Sequence, residues 1–89
     1  MSDAEVRRKI KEIVSNVTNV PVGEIPDDAR FREDLDLDSL SLLEIGVDVD
    51  YHFQLGLRDE ELQQISSLDE AVALAVRMLA EREGRSEVA

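Results

Sequence analysis

The sequence contains no cysteine. This excludes a disulfide framework and a thiolate metal site, and it fits a reducing, cytoplasmic setting. It has a single histidine, His52. Without a second histidine or a cysteine partner, His52 reads as a surface or core-edge residue rather than a catalytic or metal-ligating one. No glycine-rich phosphate loop is present. No apolar run reaches the roughly 18 residues of a membrane span. Met1-Ser2-Asp3-Ala4-Glu5 is polar and acidic, unlike a secretory signal. Basic residues are scarce, with ten Lys and Arg against 21 Asp and Glu, for a net charge of −11.

What is present is a short acidic chain of 89 residues, enough for one domain. A domain of this size buries little more than about 60% of its unfolded surface, so its core is thin and leaves little room for an enclosed active site. The charge is unevenly spread. Residues 1–23 hold four basic and three acidic side chains. Residues 24–61 hold thirteen acidic and three basic, a balance of −10. Phosphate backbones would be repelled by that segment, so nucleic acid is excluded as a partner and proteins with basic patches are favoured. Solubility alone is the other reading of such a charge.

Apolar spacing predicts helices and no strands. Ser2 and Glu5 form a capping box, and Val6, Ile10, Ile13 and Val17 follow on one face, giving a helix over 3–17. Asn19-Val20-Pro21 ends it. A connection over 19–37 carries Pro21, Gly23 and Pro26, but also Val22, Ile25, Phe31, Leu35 and Leu37. Loops this long are usually functional or disordered, and its apolar residues predict that it is pinned to the core. The second helix is predicted from the N-cap Asp38 to about Gln54. Leu42, Ile45, Val49 and Phe53 form its core stripe. Leu40, Leu43 and Val47 form another, which is either further core or an exposed contact surface among Glu44, Asp48 and Asp50. A short helix over 59–65, capped by Asp59, points Leu62 and Ile65 inward and needs tertiary support. A last helix starts at the Ser67-Glu70 capping box, buries Leu68, Val72, Ala75, Val76 and Leu79, and stops at Gly84. The domain is thus expected over 1–84, with 85–89 a flexible tail.

One pattern hints at a metal. Asp34, Asp36 and Asp38 have the opening spacing of a calcium loop. Ser39 then stands where the loop needs glycine, and Ile45 where it needs a bidentate glutamate, so no metal site is assigned and the fold is expected to survive chelation.

The informative stretch is Phe31-Arg32-Glu33-Asp34-Leu35-Asp36-Leu37-Asp38-Ser39-Leu40-Ser41-Leu42-Leu43-Glu44. It resembles the phosphopantetheine attachment region of acyl carrier proteins, in which an Asp-Ser-Leu opens the second helix. The likeness continues through Phe53, Asp59-Glu60-Glu61, Ile65 and Ser66-Ser67-Leu68-Asp69-Glu70-Ala71-Val72, includes Val20-Pro21-Val22, which resembles the start of the family's first loop, and covers roughly residues 5–80. It implies an all-α four-helix bundle with three longer helices, one short third helix and a long first loop. It also implies a 4′-phosphopantetheine arm moved from coenzyme A to Ser39 by a phosphopantetheinyl transferase, with Asp38 and Leu40 flanking the attachment point.

The carrier would be a monomer and no enzyme itself. It would present acyl chains as thioesters to the ketosynthase, acyltransferase and related synthase enzymes of fatty acid or polyketide assembly. Leu40, Leu43, Glu44, Val47, Asp48 and Asp50 would form the docking face. A peptidyl or aryl carrier of nonribosomal peptide assembly, and an unmodified acidic interaction module, are the other readings of the same residues. A serine in the first turn of a helix suits a phosphodiester on physical grounds too, because helix N-termini favour anions. The chain departs from the family pattern at three places: Asp36 replaces a glycine, Leu57-Arg58 replaces Ile-Pro before the third helix, and Gly46 interrupts the second. Aspartate tolerates the left-handed backbone that a glycine there would supply. Gly46 costs roughly 1 kcal/mol of helix propensity, which a close approach by a partner or an acyl chain could justify.

Overall fold

The structure is a computed structural model that describes the backbone of residues 2–88 and the side chains of residues 2–82. Among the described residues five α-helices follow one another: α1 Asp3–Thr18, α2 Phe31–Leu35, α3 Ser39–Phe53, α4 Asp59–Gln63 and α5 Leu68–Val88. The bundle expected from the sequence is present. The long first loop differs in detail, because a 3₁₀ turn at Val22–Glu24 and the helix α2 lie within it. Five residues are too few to show a helical repeat in the sequence, and α2 exists because tertiary contacts hold it.

The cap of α1 forms as expected. The Ser2 hydroxyl accepts the Glu5 N–H at 3.2 Å, and the Glu5 carboxylate accepts the Ser2 N–H at 3.3 Å. Val6, Ile10, Ile13 and Val14 are buried along one side. The helix ends with Asn19 in a left-handed conformation, φ 65°. α1 packs on α5 and α3, and α3 packs on α4 and α5. The core between them is built from Val6, Ile10, Ile45, Val49, Leu68 and Ala75, with Phe31 reaching it from α2. No buried polar or charged residue interrupts it among the described residues.

The loop over 19–37 is held in two ways. Ile25 and Phe31 are buried, while Leu35 and Leu37 pack half-buried against the core. Its backbone also pairs with the α4–α5 turn: the Phe31 N–H donates to Ser66 O at 3.0 Å and the Leu68 N–H to Ala29 O at 2.9 Å. α1 supplies the cations that fix its polar part. Arg7 donates to Asp27 O at 2.9 Å and bridges to Asp69 of α5 at 2.8 Å, and Lys11 pairs with the Asp27 carboxylate.

Four expectations are corrected. Asp59 does not cap α4. The N-cap is Arg58, and the Glu61 carboxylate turns back to accept both its backbone N–H at 3.1 Å and its Nε at 3.3 Å. The helix also stops at Gln63, so the buried Ile65 lies just beyond it. At the other end, α5 does not stop at Gly84 but runs to Val88. Glycine ends a helix only where a left-handed turn has its own stabilising contacts; otherwise it remains a tolerated interior residue. Gly46 is not opened toward a partner. A Cβ there would stand 3.1 Å from Leu62 Cδ2, so its missing side chain lets α4 sit against α3.

Candidate functional site

The start of α3 is built by three local devices. α2 ends at Asp36, whose backbone turns left-handed with φ 53°, the geometry the sequence suggested for a residue in a glycine's place. That turn lets the chain reverse, and the Leu37 N–H returns to Phe31 O at 3.0 Å. Asp38 then caps α3, its Oδ1 accepting the Ser41 N–H at 2.9 Å. Those backbone amides, with Ser41 foremost, hold the Asp38 carboxyl below its usual value. The cap is therefore a formal anion at neutral pH, aimed at the helix N-terminus and not at Ser39.

Ser39 is the first residue of α3 and is exposed. Its hydroxyl oxygen accepts a hydrogen bond from the Arg32 guanidinium at 2.9 Å. Sequence reasoning did not single out Arg32. A cavity of about 430 Å³ adjoins the pair, lined by Arg32, by Ser39, Leu42 and Leu43 of α3, and by Leu62 and Gln63 of α4. An exposed alcohol, a guanidinium and an apolar hollow thus meet at one helix end.

The second stripe of α3 is not core. Leu40 is 73% exposed, and Leu43 and Val47 are exposed too. Tyr51, one turn further, is 84% exposed and extends the line, which the sequence reading missed. Leu42, Ile45, Val49 and Phe53 are buried as expected. Glu44 is exposed and Asp48 half-buried beside that line. Asp50 has a different engagement: its Oδ1 accepts the N–H groups of Gly56 at 2.8 Å and Leu57 at 3.2 Å, fixing the turn after α3. His52 stands against Phe53, ring edge to face at 4.9 Å between centroids.

The acidic run beside Ser39 does not converge. Asp34 is committed to Arg30, accepting its backbone N–H at 2.8 Å and its guanidinium at 3.1 Å. Among the described residues no group of three His, Cys, Asp or Glu side chains is placed to hold a metal ion. No helix among them is long and apolar enough to cross a membrane.

Comparison with known proteins places this geometry in context. Residues 8–75 match the family described as the phosphopantetheine attachment site. The chain is 37% identical over 76 residues to an acyl carrier protein of Rubrobacter xylanophilus, covering 85% of this chain and 94% of that one. It is 42% identical over 62 residues to a polyketide-8 synthase acyl carrier protein of Streptomyces avermitilis, covering 70% and 71%. The solved structure of an acyl carrier protein from Enterococcus faecalis superimposes with a TM-score of 0.70 at 27% identity, covering 86% of this chain and 98% of that one.

The site fits the family's group. The exposed hydroxyl can bear a phosphodiester, the guanidinium can meet its charge, and the apolar hollow lies next to where an arm would begin. The chain belongs to the phosphopantetheine-bearing family of acyl carrier proteins.

Proposed function

We propose that Ser39 is the residue that carries the 4′-phosphopantetheine arm, and that the chain itself catalyses no reaction. The observation that carries this is the exposed Ser39 hydroxyl at the N-terminus of α3, within 2.9 Å of the Arg32 guanidinium. Three other hydroxyls are held by carboxylates. Those of Ser66 and Ser67 donate to Glu70, and that of Ser2 to Glu5. In loading, Ser39 Oγ would bond to the phosphorus of coenzyme A's pantetheine phosphate. The bond from that phosphorus to the adenosine bisphosphate would break, and the hydroxyl proton would pass to a base on the transferase. Once attached, the arm supplies the terminal thiol that holds an acyl group as a thioester, a function this cysteine-free chain cannot supply from its own side chains.

The partners of this reading are a phosphopantetheinyl transferase and the ketosynthase, acyltransferase and related enzymes of fatty acid or polyketide assembly. They would dock as basic patches on the α3 face formed by Leu40, Leu43, Glu44, Val47 and Asp48, with Asp50 contributing charge while it holds its turn. The carrier acts as a monomer.

The test is intact mass after incubation with coenzyme A and a broad-specificity transferase. The parent chain and Ser41→Ala should each gain one phosphopantetheinyl group, and Ser39→Ala none. A Ser39→Ala chain that is still loaded sinks the assignment.

A further inference from the structure

The segment from 24 to 61 carries three cations among thirteen acidic residues. Two of them are held in ion pairs. Arg30 bridges Asp34 at 3.1 Å with Glu33 nearby, and Arg58 bridges Glu61 at 3.3 Å. Arg32 forms no ion pair among the described residues, and its guanidinium instead reaches the neutral hydroxyl of Ser39. In so acidic a neighbourhood a cation spent on an alcohol is unusual, and the backbone explains how it comes about. Asp36 stands four residues after Arg32, where a continuous helix would pair the two. The chain leaves the helix at Asp36 with φ 53°, so that pairing geometry is lost. The backbone next to Arg32 is anchored. Phe31 is fully buried, and the Phe31 N–H and C=O are tied to Ser66 and Leu37.

We infer that Arg32 is the counter-ion of the arm: its guanidinium grips the phosphodiester on Ser39 and holds the first part of the arm beside the hollow between α3 and α4. This rests on Ser39 being the attachment point. A phosphorus bonded to Ser39 Oγ stands one bond beyond an atom that Arg32 already touches. The guanidinium then needs only a small side-chain adjustment to exchange the hydroxyl oxygen for the two non-bridging oxygens that share the phosphodiester's single charge. A planar fork of N–H donors matches that pair of oxygens, as an ammonium does not. The added anion would otherwise sit in a segment of net charge −10. Arg32 and Ser39 line the same cavity as Leu42, Leu43, Leu62 and Gln63, so a gripped phosphate starts the arm beside it. An exposed charge pair shifts populations by only about 1.5- to 5-fold, so the grip biases the arm without locking it.

The experiment uses the full chain, loaded from coenzyme A, in the parent, Arg32→Gln and Arg32→Lys forms. Intact mass first establishes loading at Ser39; a parent chain that gains no mass there overturns the attachment reading and this inference together. On loaded protein, the phosphorus resonance and the relaxation of the arm's first methylene are then measured in low and high salt. The expected result is a parent phosphorus shift displaced from that of the unfolded loaded chain, and a first methylene less mobile than in Arg32→Gln by a factor within that same range of about 1.5 to 5. Arg32→Lys should fall between them. High salt should draw the parent toward Arg32→Gln, because the pair is exposed and the screening length falls to about 3 Å at 1 M salt. Equal phosphorus shifts and equal mobility in the parent and Arg32→Gln, with loading intact, overturn the inference.

Discussion

α1 and α3 are nearly the same length, 16 and 15 residues, and both lie against the core, yet they use their apolar side chains differently. In α1 the buried set is Val6, Ile10, Ile13 and Val14, and the remaining surface is polar, with Arg7 and Lys11 tying down the loop and α5. α3 buries Leu42, Ile45, Gly46, Val49 and Phe53, and still leaves Leu40, Leu43, Val47 and Tyr51 in solvent. The core of a small bundle needs only one stripe from each helix. The second line on α3 is therefore surplus to folding, and it begins at Leu40, beside Ser39. α1 is a structural helix with cationic fasteners; α3 carries the same structural duty on one side and an exposed apolar line on the other.

The largest test of that division removes core volume from α1. Ile10→Ala should destabilise the fold by about 2–5 kcal/mol, read from denaturant melts, while the fraction that remains folded is still loaded normally. A loss of loading in the folded fraction would mean that α1 is more than a scaffold. Next comes charge on the outer face of α3. Glu44→Lys with Asp48→Lys should slow transferase loading about tenfold in low salt with helical circular dichroism unchanged, and raising salt should erase most of the difference. Normal loading in low salt would make the acidic face a matter of solubility alone.

A smaller effect is expected from acid. The carboxyls of Glu5, Asp27, Asp34, Asp38 and Glu61 are all held below their usual values, chiefly by the Ser2 amide, Lys11, Arg30, the Ser41 amide and the Arg58 amide respectively. Groups lowered by folding add stability that is fully present above their unfolded values, near pH 4, and lost as pH falls through the lowered folded ones. Melting temperature should accordingly drop below about pH 4, even though relief of self-repulsion among the acidic residues acts the other way on the approach to it. A melting temperature that keeps rising below that point would show that repulsion outweighs these bonds. The smallest effect on stability belongs to Leu40→Ser, expected to change it by no more than about 0.5 kcal/mol while slowing loading. A core-sized loss would put Leu40 in the structural half of α3.

The boundary between the two halves was only partly legible in the sequence. The capping residues Ser2, Asp38 and Ser67 announced where the long helices begin, because an N-cap is a local exchange between neighbours. The core stripe of α3 followed from periodicity, but periodicity could not say whether Leu40, Leu43 and Val47 face in or out. That depends on what packs against the helix. α2, the cap of α4 and the end of α5 were missed or misplaced for a related reason: five-residue helices and glycine stops are settled by tertiary contacts. Arg32 was overlooked because its link to Ser39 passes through the left-handed turn at Asp36, and helical spacing would have pointed it at Asp36 instead.

The contact between Gly46 and Leu62 has a consequence on a longer timescale. The two positions share one small volume, with the missing Cβ of one filled by the branched end of the other. Through descent they should drift together: where a relative carries alanine or serine at the position of Gly46, the residue facing it should be smaller than leucine or reshaped. An aligned set of relatives could show this as paired substitution, with the helix α4 inheriting its distance from α3 through a trade of methyl groups.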